Sequence, residues 1–268
     1  MSVRIGQKHR RGVAGEKTVT CPGFQNVDVT SGGHKLLGPD KIPSTTLSPM
    51  RLGPVTDAQG NRAEVFENSW QGAKMWRSAG HIVDGTEAEP TEKYFAFRRK
   101  IFASVKGKRR PLPKSTHGFP CAARYNGRAY GYIESRKEIY VAIYYRLIKN
   151  LPAVKAMQKM IADGQSVMII DGDGPPRDLY PQGMQMNEAN WRKMIEDPHQ
   201  PFGHGYVVAA VVAGLPESVI LGDSPPPFLF TLPADPVLQP VQKPLSKKRL
   251  LVDEHRQPTA KKSRLANK

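Results

Sequence analysis

The chain has 268 residues, of which 40 are Lys or Arg and 24 are Asp or Glu, for a formal net charge of +16. Its longest apolar run, residues 207–213, falls far short of the ~20 residues a spanning helix needs, and its first residues lack the apolar core of a secretory signal; a membrane-embedded or secreted protein is excluded, and a soluble, intracellular one is expected. The only cysteines, Cys21 and Cys121, have no His or Cys at ligand spacing, which excludes a disulfide framework and a zinc site and calls for no metal or other cofactor.

The positive charge is concentrated in three places: residues 1–17 carry +4, residues 98–114 carry +8 and residues 243–268 carry +7, leaving the remainder at −3. A slightly acidic body with three basic patches points to a polyanion met locally, and nucleic acid is the expected one.

In chain order, residues 1–17 read as a flexible basic arm, with ordered structure beginning near Val19. Residues 48–55, punctuated by Pro49 and Pro54, read as extended, and residues 57–61 as a turn. A helix is predicted over 64–78; it places Phe66, Trp70 and Ala73 on one face and Glu67, Gln71 and Lys74 on a second stripe at i, i+4, i+7 spacing. A helix over 92–105 runs into a basic loop, 106–114, where Gly and Pro forbid regular structure. Residues 125–133 suggest a strand or hairpin, and 137–150 and 152–163 two helices, the second opened by Pro152. The apolar run 165–170 fits a buried strand that ends in Asp171-Gly-Asp173-Gly. A short helix over 187–196 begins at the cap residue Asn187, and 206–214, apolar on every face, is a core helix. Seven prolines within 223–244 make that stretch an extended linker, followed by a disordered basic tail over 245–268. The expected architecture is therefore α+β: one mainly helical domain with a few short strands over 18–222, between basic termini.

Three constellations carry chemistry. The stripe Glu67, Gln71, Lys74, beside Trp70 and Trp76, reads either as a solvated face or as a pocket lining. Asp171-Gly-Asp173 reads either as a plain turn or as a ligand loop at a strand end; calcium is excluded because no further oxygen ligands follow at EF-hand spacing. Gly203-His204-Gly205 reads either as a capping turn or as a helix start whose amides hold an anion such as phosphate.

Taken together, these motifs resemble the NADAR (YbiA-like) superfamily, whose members carry a Leu-Ser-Asn-Phe-like segment, a helix with Glu-His-x-x-Gln-x-x-Lys, and later Gly-Asp-Gly and a Gly-rich helix start. Leu47-Ser48-Pro49-Met50 stands for the first element, Glu67, Gln71 and Lys74 match the second, and Gly172-Asp173-Gly174 and Gly203-His204-Gly205 match the last two, over residues 47–214. Asn68 stands where the family has His, Pro49 where it has Asn, and the 106–114 loop is extra. The resemblance implies hydrolysis of an N-glycosidic bond in a nucleotide-like substrate, including ADP-ribose on guanine of nucleic acid. Glu67 and Asp173 would then be the catalytic carboxylates. Trp70 or Trp76 would stack on the base, Gln71 and Asp171 would contact substrate, Lys74 would support the departing base or a phosphate, and Gly203 and His204 would hold phosphate.

Lys247-Lys248-Arg249 and, eleven residues on, Lys261-Lys262-Ser-Arg264 have the layout of a bipartite nuclear import signal, implying an import receptor as partner and the nucleus of a eukaryotic host as location. The same tail also reads as a generic nucleic-acid-binding extension. Lys106, Lys108, Arg109 and Arg110 form a candidate nucleic-acid contact. A rival from another class is a noncatalytic nucleic-acid-binding protein, such as a viral structural component, built on an enzyme-derived fold.

Overall fold

The computed structural model describes residues 1–9, 16–109, 111–112, 120–222 and 230–232. In chain order its elements are β1 (Val3–Gln7), β2 (Phe24–Asp28), β3 (Leu36–Leu37), β4 (Ile42–Pro43), β5 (Val55–Asp57), β6 (Arg62–Ala63), α1 (Phe66–Ala73), β7 (Lys74–Met75), α2 (Glu92–Phe102), β8 (Ala122–Tyr125) and β9 (Arg128–Tyr130). There follow α3 (Tyr132–Ser135), a π-helical segment (Arg136–Val141), α4 (Ala142–Ile148), α5 (Pro152–Ala162), β10 (Ser166–Asp171), β11 (Met184–Gln185), α6 (Glu188–Glu196), α7 (His204–Val212), α8 (Glu217–Leu221) and β12 (Phe230–Thr231). The fold is α+β, and among the described residues no helix is long and apolar enough to cross a membrane.

The organising sheet has the order β11-β1-β10-β2, with β1, β10 and β2 parallel and β11 antiparallel to β1. Parallel strands covered on both faces read as continuous apolar runs, and residues 167–170 of β10 are buried without a break. Helix α7, apolar all round, packs against β1, β10, α4 and α5 and fills the centre of the core. Small antiparallel units surround this centre: β3-β4, β7-β8-β9 and β12-β5-β6. The β8–β9 hairpin turns through Asn126 and Gly127, both at positive φ, the geometry that matches strand twist in two-residue loops.

Several expectations need correction. Residues 1–17 are not a free arm throughout: Val3–Gln7 is an inner strand of the main sheet. Its Val3 and Ile5 are buried, and the strands it pairs with lie more than 160 residues away, so nothing local in this basic stretch announces it. The helix expected over 64–78 is confined to Phe66–Ala73, because Lys74 and Met75 turn extended to pair with Ala123 and Ala122 of β8. The linker expected over 223–244 returns to the domain at Phe230–Thr231, which pair with Asp57 and Thr56 of β5. The remainder of that stretch and the tail lie outside the described residues.

Candidate functional site

One cavity of about 360 Å³ opens beyond the carboxyl ends of the parallel strands, where ligands of such sheets characteristically bind. Glu67, Trp70, Gln71, Lys74, Asp171, Asp173, Gly203 and His204 all line it, and so does Arg109 from the basic loop.

Helix α1 delivers the first group. Its cap residue, Val65, has no side chain able to take the orphan amides of the first turn. Instead the N–H groups of Phe66 and Glu67 donate to the carbonyls of Leu52 (2.6 Å) and Pro49 (3.1 Å), which fixes the Pro49–Met50 segment over the cavity. Glu67 is 6% exposed, and its Oε1 accepts from Gln71 Nε2 at 2.8 Å; the Gln71 carbonyl in turn accepts from Lys74 Nζ at 3.3 Å. The stripe is thus a hydrogen-bonded chain in a wall and not a solvated face. Burial pushes the Glu67 carboxyl up, with Lys74 and Gln71 opposing. Burial likewise pushes the Lys74 ammonium down to about 8, against the pull of Glu67 and Asp173.

The Asp171-Gly-Asp173 loop leaves the end of β10. Asp171 is buried, and its Oδ2 accepts the amide of Gly205 at 2.8 Å and lies 3.4 Å from His204 Nδ1. A side chain at position 203 would come within 2.3 Å of that oxygen, and one at 205 within 2.5 Å of the Asp171 Cβ, so both glycines are required for the carboxylate to reach the helix start. At the start of α7 the Gly205 amide is thus taken by Asp171, while Gly203 and His204 line the cavity. The other nitrogen of His204, Nε2, is held 3.0 Å from the Val29 carbonyl. Asp173 stays at the cavity mouth; burial first, and the neighbouring Asp171 second, raise its carboxyl above the usual range, with Arg109 the largest opposing influence.

Of the two indoles, Trp76 is not in the cavity. With α1 ended at Ala73, its ring turns to a separate cluster, edge-on to His81 (6.0 Å) and Phe97 (6.2 Å). Trp70 does line the cavity, but the Lys74 ammonium sits 4.6 Å from its ring centroid and Tyr140 packs 5.0 Å away. Lys106 and Lys108 are exposed and do not line the cavity; Arg110 and the tail residues Lys247, Lys248, Arg249, Lys261 and Lys262 lie outside the described residues. Among the described residues no group of three His, Cys, Asp or Glu side chains is placed to hold a metal ion.

Comparison with known protein families, curated proteins and solved structures finds no match to this chain.

Sequence reasoning missed the wall opposite α1. Tyr132, Arg136 and Tyr140 line the cavity from α3 and the π-helical segment, whose wider turn is a common device for re-aiming side chains at functional sites. The signal was present as a four-residue spacing from Tyr132 through Arg136 and Tyr140 to Tyr144. Arg136 is buried and donates to the carbonyls of Met194, Ile195, Asp197 and Gln200, so it caps the end of α6 and holds the cavity wall in place.

Proposed function

We propose that this chain is an N-glycosidase-type hydrolase that cleaves the C1′–N bond of a nucleotide-like substrate, with ADP-ribose on guanine of nucleic acid as the specific candidate. The observation that carries the reading is the Glu67–Gln71–Lys74 chain in one wall of a cavity that Asp173 also lines. The resemblance of these same positions to the NADAR superfamily supports it, and on this reading the α+β domain is NADAR-like.

Breaking the C1′–N bond sends the electron pair to the base nitrogen and leaves an oxocarbenium-like sugar, which nearby carboxylates stabilise. Glu67, once ionised, takes a proton from water as its oxygen bonds to C1′. The Lys74 ammonium, titrating at about 8, gives a proton to the departing base. The products are a sugar hydroxyl and the protonated leaving base, which for ADP-ribosylated nucleic acid is the guanine restored in its strand; Glu67 and Lys74 both end neutral and recover their charges by proton exchange with solvent. Tyr140, which packs beside Trp70, closes the apolar side of the pocket.

In this reading the basic tail directs the protein to the nucleus, and the basic loop faces the nucleic acid. The test is an assay of the purified full chain against ADP-ribosylated guanine in an oligonucleotide and against free nucleotides, with products separated by chromatography. Turnover by the wild type and a loss of about 100-fold or more in Glu67→Gln are expected. Absence of turnover on every substrate, together with tight, salt-sensitive DNA binding, would replace this reading with that of a noncatalytic nucleic-acid-binding protein.

A further inference from the structure

We propose that Arg109 is the anion-binding residue at the cavity mouth, held over Asp173 by Asn68 and transferred from Asp173 to a phosphate when substrate enters. This deepens the nucleotide reading of the cavity by assigning its phosphate contact, and it concerns the loop in which the chain departs most from the family it resembles.

Asn68 follows Glu67 in the sequence, is 0% exposed, and turns its whole amide to the loop. Its Nδ2 donates to the carbonyls of Ser104 (2.6 Å) and Lys106 (3.0 Å), and its Oδ1 accepts the amide of Lys108 (2.8 Å). Three main-chain bonds to one buried side chain do for an irregular loop what a strand partner does for a strand. Met50 presses on the other side, within 2.4 Å of where a side chain at Gly107 would begin. The loop is thereby fixed to the same helix that carries Glu67, and the residue that follows these anchors is Arg109.

The Arg109 guanidinium stands 3.7 Å from Asp173 Oδ1, beyond hydrogen-bond length, with the two side chains 62% and 47% exposed. An ion pair so long and so wet is weak. A phosphate free to move into the mouth carries at least as much negative charge as the carboxylate and can meet the guanidinium fork with two parallel acceptors at hydrogen-bond length, which Asp173 at 3.7 Å does not. Exchange of partners therefore favours the phosphate, and it removes from Asp173 the charge that most opposes its protonation. Burial, and after it Asp171, then drive proton uptake by Asp173, with His204 and Lys74 left to resist it. Anion binding at Arg109 and proton uptake by Asp173 are coupled.

The experiment is calorimetric titration of the full chain with guanosine monophosphate, and with guanosine as the uncharged control, in two buffers of different ionisation enthalpy. The wild type is expected to bind the monophosphate at least about tenfold more tightly than guanosine and to take up protons as it does so. Arg109→Gln, an exposed site that does not endanger folding, is expected to lose that preference while binding guanosine as before; Arg109→Lys should restore part of it. Asp173→Asn, which removes the competing carboxylate, should strengthen the preference and lose the proton uptake. Asn68→Ala should weaken the preference with Arg109 still present. Equal binding of the monophosphate by wild type and Arg109→Gln, or no preference for it in the wild type, overturns the proposal. None of these readouts needs turnover, so a chain that behaves as described and cleaves nothing keeps this inference and loses only the hydrolase reading.

Discussion

Lys74 offers a test of the cavity that requires no substrate. An unfolded lysine keeps its proton to about 10.5, whereas burial brings Lys74 down to about 8. Between those values the unfolded chain holds more protons than the folded one, so this group makes stability rise with pH across the window; below about 8 both states are protonated and it contributes no slope. At about 1.4 kcal/mol per pH unit the whole window amounts to about 3 kcal/mol, of which about 2 kcal/mol falls between pH 8 and 9.5. The buried Tyr125, Tyr140, Tyr144 and Tyr206 hydroxyls, all raised by burial, act in the opposite sense near and above 10, where an unfolded tyrosine ionises first. They are common to wild type and Lys74→Met and cancel in the difference between the two, which leaves Lys74 together with the carboxyl it pulls down, Glu67. Urea unfolding followed by tryptophan fluorescence at pH 7.5, 8.5 and 9.5 supplies that difference. Two parallel curves would show the ammonium to be hydrated and titrating normally, and the proton-donor role assigned to it would fall with that result. Glu67→Gln removes the carboxylate that helps retain the proton, and should move the onset of the rise to lower pH.

Removing residues 1–7 takes away the strand between β11 and β10, and the truncated chain should aggregate or lose its native circular dichroism; a soluble, native-like product would contradict the sheet order. Gly205→Ala sets a methyl group against Asp171 and should lower stability by about 1–3 kcal/mol in urea unfolding. Deleting 245–268 should leave the urea midpoint unchanged and abolish nuclear accumulation of a fluorescent fusion in eukaryotic cells; retention in the nucleus would refute the import signal.

What could be read from the sequence was what local chemistry encodes. Pro152 opens α5, the Asn187 side chain accepts the Asn190 amide at the head of α6, and the apolar run before Asp171 is β10, all near their expected bounds. What could not be read depends on partners far away in the chain. Val3–Gln7 has two buried apolar side chains among basic neighbours and becomes a strand only because β10 and β11 flank it. The helix bearing Glu67 stops early because β8 takes Lys74 and Met75 as a strand. The site divides the same way. The spacing of Glu67, Gln71 and Lys74 brought out one wall, but not Asn68 as the anchor of the basic loop, nor Arg109 at the mouth. At Gly203-His204-Gly205 the glycines mark a helix start on the cavity wall, but nothing local shows that Asp171, 34 residues earlier, takes the Gly205 amide.

The parallel pairing of Val3–Gln7 with residues 167–171 has a consequence for how the molecule is made. A ribosome releases the first strand long before its neighbour exists, so for most of synthesis that strand waits unpaired with Val3 and Ile5 in water. Closing a loop of this length is slow, and the cavity floor forms in the same event, because Asp171 is the last residue of the strand that closes it. Its cap, the amide of Gly205, emerges later still. The pocket is thus completed late: Asp171 and its cap join the wall carried by α1 only after more than three quarters of the described domain has left the exit tunnel.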